Sequence, residues 1–277
     1  MAEIPTSRID VVDLTLKYGN DTVLDALSLP IPRGKVTVLA GPNGCGKSTL
    51  LRAIRRLQTG QKGHILLDGI DIGKLGAKEL ARQIGLLAQS PNAPPDMSVE
   101  ELVRLGRYPH QAMMQPWSEK DGAAVLRAMD GTGVTSLRQR HIGSLSGGQL
   151  QRAWIAMVLA QETDIICLDE PVNHLDMAHQ LDCLDLVAKL NRENGRTIVL
   201  VLHDLNLAAR YADQLVFVHE GRVRALGRPE ELMKPELLAE VFEVDAAVMT
   251  DPVHGRPICI PRGRARLAAE KELNAVA

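Results

Sequence analysis

A glycine-rich stretch near the start of the chain constrains the fold more than any other feature. The sequence GPNGCGKST satisfies the pattern G-x-x-x-x-G-K-[ST] and directly follows KVTVLA, a short apolar run typical of a buried strand. Glycines let the backbone wrap an anion, Lys47 reaches the β- and γ-phosphates, and the Ser48 hydroxyl suits Mg²⁺. The stretch therefore predicts a strand–loop–helix unit that binds a nucleoside triphosphate. By itself it does not separate kinases, GTPases and motor ATPases. Its predicted nucleotide-binding residues are Gly41, Pro42, Asn43, Gly44, Cys45, Gly46, Lys47, Ser48 and Thr49.

The segments around this loop alternate between strand and helix patterns. Two of the strand runs, DIICLD and TIVLVLHD, are almost continuously apolar, as in strands buried on both faces of a parallel sheet. The alternation predicts an α/β fold with a mostly parallel sheet, preceded by a β-rich start. Strands are predicted at 9–18, 23–31, 35–40, 164–169 and 197–204, and helices at 47–57, 175–191 and 205–212.

Residues 91–161 carry helical patterns separated by proline and glycine, with no convincing strand. We interpret them as a helical subdomain inserted into the α/β domain. After about Val244 the pattern decays. We therefore expect one large domain over 8–245 and a C-terminal tail over 246–277, whose end is a charged helix or a disordered segment.

Composition excludes several classes of function. The 277 residues carry a net charge of −2 and only 3% aromatic residues, which argues against a nucleic-acid partner. The four cysteines lack C-x-x-C spacing, so reduced thiols are expected rather than a zinc site. The start of the chain does not resemble a signal peptide, and the longest apolar runs are too short to cross a membrane. We expect a soluble, cytoplasmic protein.

Acidic and polar residues follow several of the predicted strands. The strand IICLDE delivers Asp169 and Glu170 at its C-terminal end, where ligands lie in open α/β sheets. Asp169 suits the Mg²⁺ shell, and Glu170 suits the general base that activates water. The alternative is that Glu170 only opens the following loop. His203 and Gln89 end two other apolar runs and are further candidates, for a γ-phosphate contact and for Mg²⁺, although each residue type is commonly structural.

A second glycine-rich turn, LSGGQLQR, runs into an apolar helical segment at Leu145 to Arg152. Such a turn presents free backbone N–H groups at the positive end of a helix dipole and could cradle another anion. This raises the question of why one chain needs two phosphate cradles.

The motifs in their order resemble the ATP-binding subunit of an ABC transporter over about residues 8–245. They are Tyr18, GPNGCGKST, Gln89, LSGGQ, IICLDE, Leu175-Asp176 and His203. The resemblance implies a P-loop NTPase with a RecA-like core, an antiparallel β-subdomain and an inserted helical subdomain. It implies ATP and Mg²⁺ as cofactors and a head-to-tail dimer of two copies.

The resemblance also implies residue roles. Tyr18 would stack on adenine, Lys47 would contact phosphates, and Ser48, Gln89 and Asp169 would serve Mg²⁺. Glu170 would be the catalytic base and His203 would contact the γ-phosphate. The signature residues would face the ATP of the partner chain, with Asp176 at the dimer contact, which answers why two cradles are needed. The signature residues are Ser146, Gly147, Gly148 and Gln149.

A separate membrane permease must bind such a subunit, with a substrate-binding protein as an indirect partner, on the cytoplasmic side of the cell (inner) membrane. By the same resemblance, we expect Ser98–Gln111 to help form the docking surface. Charge reversal at Arg107 should then impair transport and leave basal ATPase activity near normal. The sequences of 203–213 and 251–263 resemble those of the ATPase subunits of importers for iron–siderophore complexes.

Several alternatives stay open. The cargo could instead be vitamin B12, haem or a metal, and a soluble ABC ATPase outside transport would share every catalytic motif. A P-loop kinase or GTPase would lack LSGGQ. Val172, Asn173 and His174 depart from the sequence common before Asp176, so that loop can differ in detail. His174 and His179 suggest a metal site, but without a third ligand a solvated surface is the better interpretation.

Overall fold

The computed structural model describes residues 7–58, 62–111 and 117–265, and its strands form three sheets. The strands are β1 (Ser7–Tyr18), β2 (Asp21–Pro32), β3 (Val36–Ala40), β4 (Lys62–Leu67), β5 (Ile70–Asp71), β6 (Ile84–Leu87), β7 (Ile165–Asp169), β8 (Thr197–Val201), β9 (Gln214–His219), β10 (Arg222–Gly227), β11 (Val244–Thr250) and β12 (Pro257–Arg264). The helices are α1 (Lys47–Ile54), α2 (Ala77–Gln83), α3 (Val99–Leu105), α4 (Glu119–Gly131), α5 (Gly147–Leu159), α6 (Met177–Asn194), α7 (Leu205–Tyr211), α8 (Pro229–Leu232) and α9 (Pro235–Phe242).

The central sheet has six strands in the order β10-β9-β3-β8-β7-β6, and all neighbours except β10 and β9 pair in parallel. A second sheet, in the order β2-β1-β4-β5, is antiparallel. The predicted α/β class with an antiparallel β-rich start is confirmed. Because the parallel strands run the same way, their carboxyl ends lie at one edge of the sheet.

Two apolar cores cover the two faces of the central sheet. Successive side chains of a strand point to opposite faces, so β8 contributes Ile198 and Leu200 to one core and Val199 and Val201 to the other. The first core packs against the helices of the 91–161 segment, and the second lies under α1 and the antiparallel sheet. Burial on both faces explains why these strands are continuously apolar in the sequence.

Among the described residues of 91–161, the regular elements are helices: α3, α4, α5 and three short 3₁₀ turns. Ser98 and Ser118 cap α3 and α4 by accepting hydrogen bonds from the backbone N–H groups three residues later. The segment is thus helical as predicted. Its boundaries as a separate subdomain remain a prediction.

The C-terminal region corrects one expectation. The loss of pattern after Val244 suggested an irregular tail, but β11 and β12 form an antiparallel hairpin there. Asn206 of α7 ties the hairpin down, because its side chain donates to the Cys259 carbonyl at 3.1 Å and accepts from the Cys259 N–H at 2.6 Å. We expected a charged helix or a disordered segment over 262–277; residues 262–264 instead belong to β12, and residues 266–277 lie outside the described residues. Other elements whose bounds the sequence did not predict are β4, β5, α2, β6, β9, β10, α8 and α9.

The four cysteines, Cys45, Cys167, Cys183 and Cys259, are buried free thiols. Burial raises the pKa of both Cys167 and Cys183 to about 12, so these two stay protonated and unreactive at neutral pH. Of the helices in the described ranges, none combines the length and the apolar character that a membrane crossing requires.

Arg107 was expected on an exposed docking surface, and this was wrong. Its side chain is buried, with Nε donating to Asp121 at 2.8 Å and Nη1 to the Ala160 carbonyl at 2.7 Å and to Glu162 at 2.8 Å. These bonds join the end of α3 to α4 and to the end of α5. The sequence pattern gave no sign of this, because an arginine after a short helix is usually exposed. Arg107 therefore holds the helical segment together.

We expect Arg107→Ala to lower the free energy of unfolding by about 3 kcal/mol, because it leaves buried acceptors without their charged donor. Urea unfolding measures this. Arg104→Ala is the matched control: its exposed guanidinium lies 4.0 Å from the centre of the Trp117 ring and contributes about 1 kcal/mol or less. Equal losses for the two variants would contradict the structural assignment of Arg107.

Candidate functional site

The phosphate-binding loop connects β3 to α1, as the sequence predicts. Its glycines are needed for two reasons: Gly44 and Gly46 have φ of +78° and +104°, and a Cβ on Gly46 would lie 2.6 Å from Cδ2 of Leu24. Lys47 begins α1, and its buried ammonium donates to the carbonyls of Gly41 and Pro42 at 2.8 Å each. The loop thus fixes the position of the lysine charge beside the helix N-terminus, which favours anions.

Ser48 and Asp169 bring the loop and β7 together. The Ser48 hydroxyl donates to Oδ1 of Asp169 at 2.9 Å. Burial raises the pKa of Asp169, and the hydrogen bond from Ser48 opposes this. A hydroxyl and a carboxylate oxygen side by side are ligands that Mg²⁺ prefers, and the amide oxygen of Gln89 is of the same kind. These three predicted residues therefore fit a magnesium ion chemically.

Glu170 lies just past the end of β7 and is 8% exposed. Its Oε2 accepts hydrogen bonds from Nε2 of Gln89 at 2.5 Å and from the side-chain amide of Asn173, and its Oε1 lies 2.5 Å from Nε2 of His203. The backbone of Glu170 is left-handed, with φ of +52°. This conformation costs about 1–2 kcal/mol in a residue with a Cβ, so the surrounding contacts must hold it.

The order of strands explains why these side chains meet. β3, β8, β7 and β6 are consecutive neighbours, and their carboxyl ends lead to the phosphate loop, His203, Glu170 and Gln89 respectively. Together they line a cavity of about 620 Å³, within the range of small-molecule sites. The described lining residues are Val23, Asn43, Gly44, Gly46, Lys47, Ser48, Thr49, Gln89, Glu170, Asn173, His174 and His203.

Three of these lining residues were missed as site residues: Val23, Asn173 and His174. Asn173 and His174 stood out in the sequence as departures from the loop common before Asp176, and His174 also as one of two histidines that suggested a metal site. The available signal was the spacing, because a tight turn after Glu170 brings the Asn173 N–H to the Glu170 carbonyl at 3.3 Å and places its amide beside the carboxylate. Among the described residues, no cluster of three metal-binding side chains includes His174 or His179.

The remaining predicted residues lie elsewhere. Tyr18 ends β1 and is 44% exposed. Ser146 caps α5, with its hydroxyl accepting from the Gln149 N–H at 3.3 Å, and Asp176 caps α6. The described residues that line the cavity include none of these, nor either signature glycine. The second glycine-rich turn therefore lies at a helix N-terminus outside the described lining of the cavity in its own chain, with Ser146 and Gly147 exposed and Gly148 buried.

Comparison with known proteins identifies the family to which this arrangement belongs. The sequence model of one family, described as ABC transporter, matches residues 24–173, more than half of the chain. The petrobactin import ATP-binding protein FpuD of Bacillus anthracis is 49% identical over 263 residues, covering 95% of this chain and 96% of FpuD. The ferric enterobactin transport ATP-binding protein FepC of Escherichia coli (strain K12) is 50% identical over 258 residues, covering 93% and 95% respectively.

Solved structures show the same architecture. The dimeric structure of MJ0796, a bacterial ABC transporter cassette, superposes with a TM-score of 0.69 at 30% sequence identity, covering 79% of this chain and 98% of that one. The fold is thus shared with a cassette whose structure is dimeric.

We expect Gly46→Ala to lower the free energy of unfolding by about 2 kcal/mol and to weaken nucleotide binding, because its Cβ would overlap Leu24 and its backbone is left-handed. Thermal unfolding and binding of a fluorescent ATP analogue measure the two effects. Gly131→Ala is the control: it lies in α4 with open space around it, so alanine should be neutral or slightly stabilising. Normal nucleotide binding by Gly46→Ala would contradict this account of the loop.

Proposed function

Because the chain belongs to the ABC transporter family and is an ATPase of that family, we propose that it energises import of an iron(III)–siderophore complex through a separate membrane permease. The proposed cargo is supported by FpuD and FepC, which are about half identical to this chain and are named for petrobactin and ferric enterobactin. The observation that carries the ATPase function is the placement of Glu170, His203 and Gln89 around the cavity that Lys47 enters.

In the proposed reaction, Glu170 is the general base that takes a proton from the attacking water. The hydrogen bond from Gln89 and the close approach of His203 Nε2 hold its carboxylate at the cavity, and Lys47 contacts the phosphates. His203 is also placed to meet the γ-phosphate. Ser48, Asp169 and Gln89 would hold Mg²⁺, which neutralises phosphate charge when bound. Tyr18 would stack on the adenine ring.

We propose that two copies of the chain pair head to tail around ATP. The signature turn, Leu145 to Gln149, is absent from the described lining of the cavity in its own chain, yet it stands at the start of α5, where a helix N-terminus favours an anion. A partner chain would place Ser146, Gly147, Gly148 and Gln149 over the nucleotide, with Asp176 beside them. ATP then gains donors from two chains only when the dimer closes, and hydrolysis releases them.

The permease would dock on an open groove of about 610 Å³ beside α3. Leu105 is 52% exposed in this groove, and Trp117 and Met97 add further apolar surface. Exposed apolar side chains rimmed by Glu101 and Arg104 suit a protein partner. We therefore place the chain at the cytoplasmic face of the membrane as a peripheral subunit, with a substrate-binding protein as an indirect partner.

We expect Glu170→Gln to bind ATP but to slow its hydrolysis by about 10²–10⁴-fold, because an amide does not accept the proton. With Mg²⁺ and ATP the variant should accumulate as a dimer, measured by sedimentation velocity and a phosphate-release assay. The control is Glu170→Gln combined with Lys47→Ala, which should remain a monomer. If Glu170→Gln hydrolysed ATP as fast as the unchanged protein, Glu170 would not be the general base.

We expect Leu105→Glu to abolish restoration of iron uptake in a strain that lacks the gene, because a charge replaces apolar contact worth about 2 kcal/mol. Uptake of labelled ferric siderophores, haem and vitamin B12 is measured in the complemented strain. The matched control is Leu126→Glu, a 44% exposed leucine on α4 outside the described lining of the groove, which should restore uptake. Restored uptake by both variants would refute the docking site, and restored uptake of haem or vitamin B12 alone would refute the proposed cargo.

A further inference from the structure

Asp176 is oriented by one neighbour, His179. Asp176 caps α6, and its Oδ1 accepts from the backbone N–H of His179 at 3.0 Å and lies 2.7 Å from Nδ1 of the same residue. Both contacts lower the pKa of Asp176, the backbone hydrogen bond more than the imidazole. The Asp176 side chain is 68% exposed, so solvent would otherwise leave it free to rotate. His179 therefore selects one orientation of this carboxylate.

The imidazole of His179 also packs against the signature turn. Gly148 is buried, and a Cβ added there would lie 2.2 Å from Cδ2, 2.8 Å from Cγ and 3.0 Å from Nε2 of His179. No Cβ fits at such distances, so the ring itself makes glycine necessary at this position. At Gly147 an added Cβ would only touch Leu175 at 3.5 Å, an ordinary contact. The two signature glycines thus pack on residues that flank Asp176.

The helices behind these contacts are linked as well. Arg152 of α5 and Asp182 of α6 form an ion pair at 3.7 Å, about one turn beyond the signature turn and His179. The ring of His179 is therefore placed between two helix N-termini, with its Nδ1 on Asp176 and its Cδ2 edge on Gly148. Through this single side chain, the position of Asp176 and the position of the signature turn become dependent on each other.

We propose that His179 is a positioning residue for the ATP-dependent dimer: it sets Asp176 and the signature turn at a fixed separation, so that both meet the nucleotide of a partner chain together. This inference rests on the head-to-tail dimer proposed above. His179 is not among the described residues lining the cavity, so it acts through Asp176 and Gly148 rather than by touching ATP in its own chain.

Substitutions at His179 separate positioning from a structural role. In the Glu170→Gln background with Mg²⁺ and ATP, His179→Ala should weaken dimerisation about tenfold, the worth of one hydrogen bond to a charged group. ATP affinity of the single chain and the melting temperature should stay close to those of the parent. His179→Asn, whose amide nitrogen can replace Nδ1, should recover most of the dimerisation, whereas His179→Leu should not.

Compensation between His179 and Gly148 provides the second readout. Gly148→Ala should weaken dimerisation at least as much as His179→Ala, because its Cβ overlaps the ring. Adding His179→Ala to Gly148→Ala should improve dimerisation relative to Gly148→Ala alone, since the overlapping atoms are gone. Sedimentation equilibrium over a range of concentrations measures all four combinations. A Gly148→Ala defect that is unchanged by removal of the ring would overturn the proposed packing.

The control is His64→Ala, which removes a similar His–Asp pair, Nδ1 to Asp71 Oδ2 at 2.7 Å, from the antiparallel sheet. It should dimerise like the parent. If Glu170→Gln with His179 intact does not dimerise when ATP is added, both the proposed dimer and this inference are wrong. If that parent dimerises and His179→Ala dimerises equally well, only the inference fails. A loss of melting temperature and of single-chain ATP affinity in step with dimerisation would make His179 structural and also overturn it.

Discussion

The parallel hydrogen bonding of β3, β8, β7 and β6 is the constraint on which the site depends. It places four strand ends next to one another, and each end leads directly into a residue for which we propose a role in ATP binding or hydrolysis. The burial of both sheet faces keeps this edge rigid, because each strand is held by two apolar cores. A shift of one strand would move Glu170 or Gln89 relative to Lys47, and the side chains that now line one cavity would be separated.

The conformation and the burial of Glu170 are the energetically unfavourable parts of this arrangement. Its left-handed backbone and buried carboxylate are both unfavourable, and the hydrogen bonds from Gln89 and Asn173, together with the nearby His203, offset them. Gln89 follows β6, His203 follows β8, and Asn173 lies in the turn after Glu170 itself. The orientation of the carboxylate therefore depends on the positions of these three loops. Gln89 precedes the helical segment that carries the proposed docking groove. If a permease displaced that segment, the movement would change the position of the Glu170 carboxylate through the side chain of Gln89.

The signature turn belongs to a different part of the molecule. Its glycines pack against Leu175 and His179 rather than against the phosphate loop of the same chain. One chain therefore offers two incomplete surfaces, the cavity at the strand ends and the exposed turn at the start of α5. In the dimer that we propose, head-to-tail pairing of two copies would unite one surface of each kind around a nucleotide, so that association would depend on ATP.

The sequence by itself determined the local elements of the site. GPNGCGKST, IICLDE, His203 and Gln89 are each recognisable from a buried strand followed by polar residues, since strand burial and glycine geometry are encoded within a few neighbours. The tertiary structure decided what depends on distant contacts. Arg107 is buried because Asp121 and Glu162 happen to face it, and the hairpin of β11 and β12 is held by Asn206 of α7. Asn173 reaches Glu170, and His179 reaches Gly148, through turns and helix packing that no periodicity reveals. Local patterns record which face of an element is apolar, whereas the partner of a polar side chain is fixed only when distant segments pack.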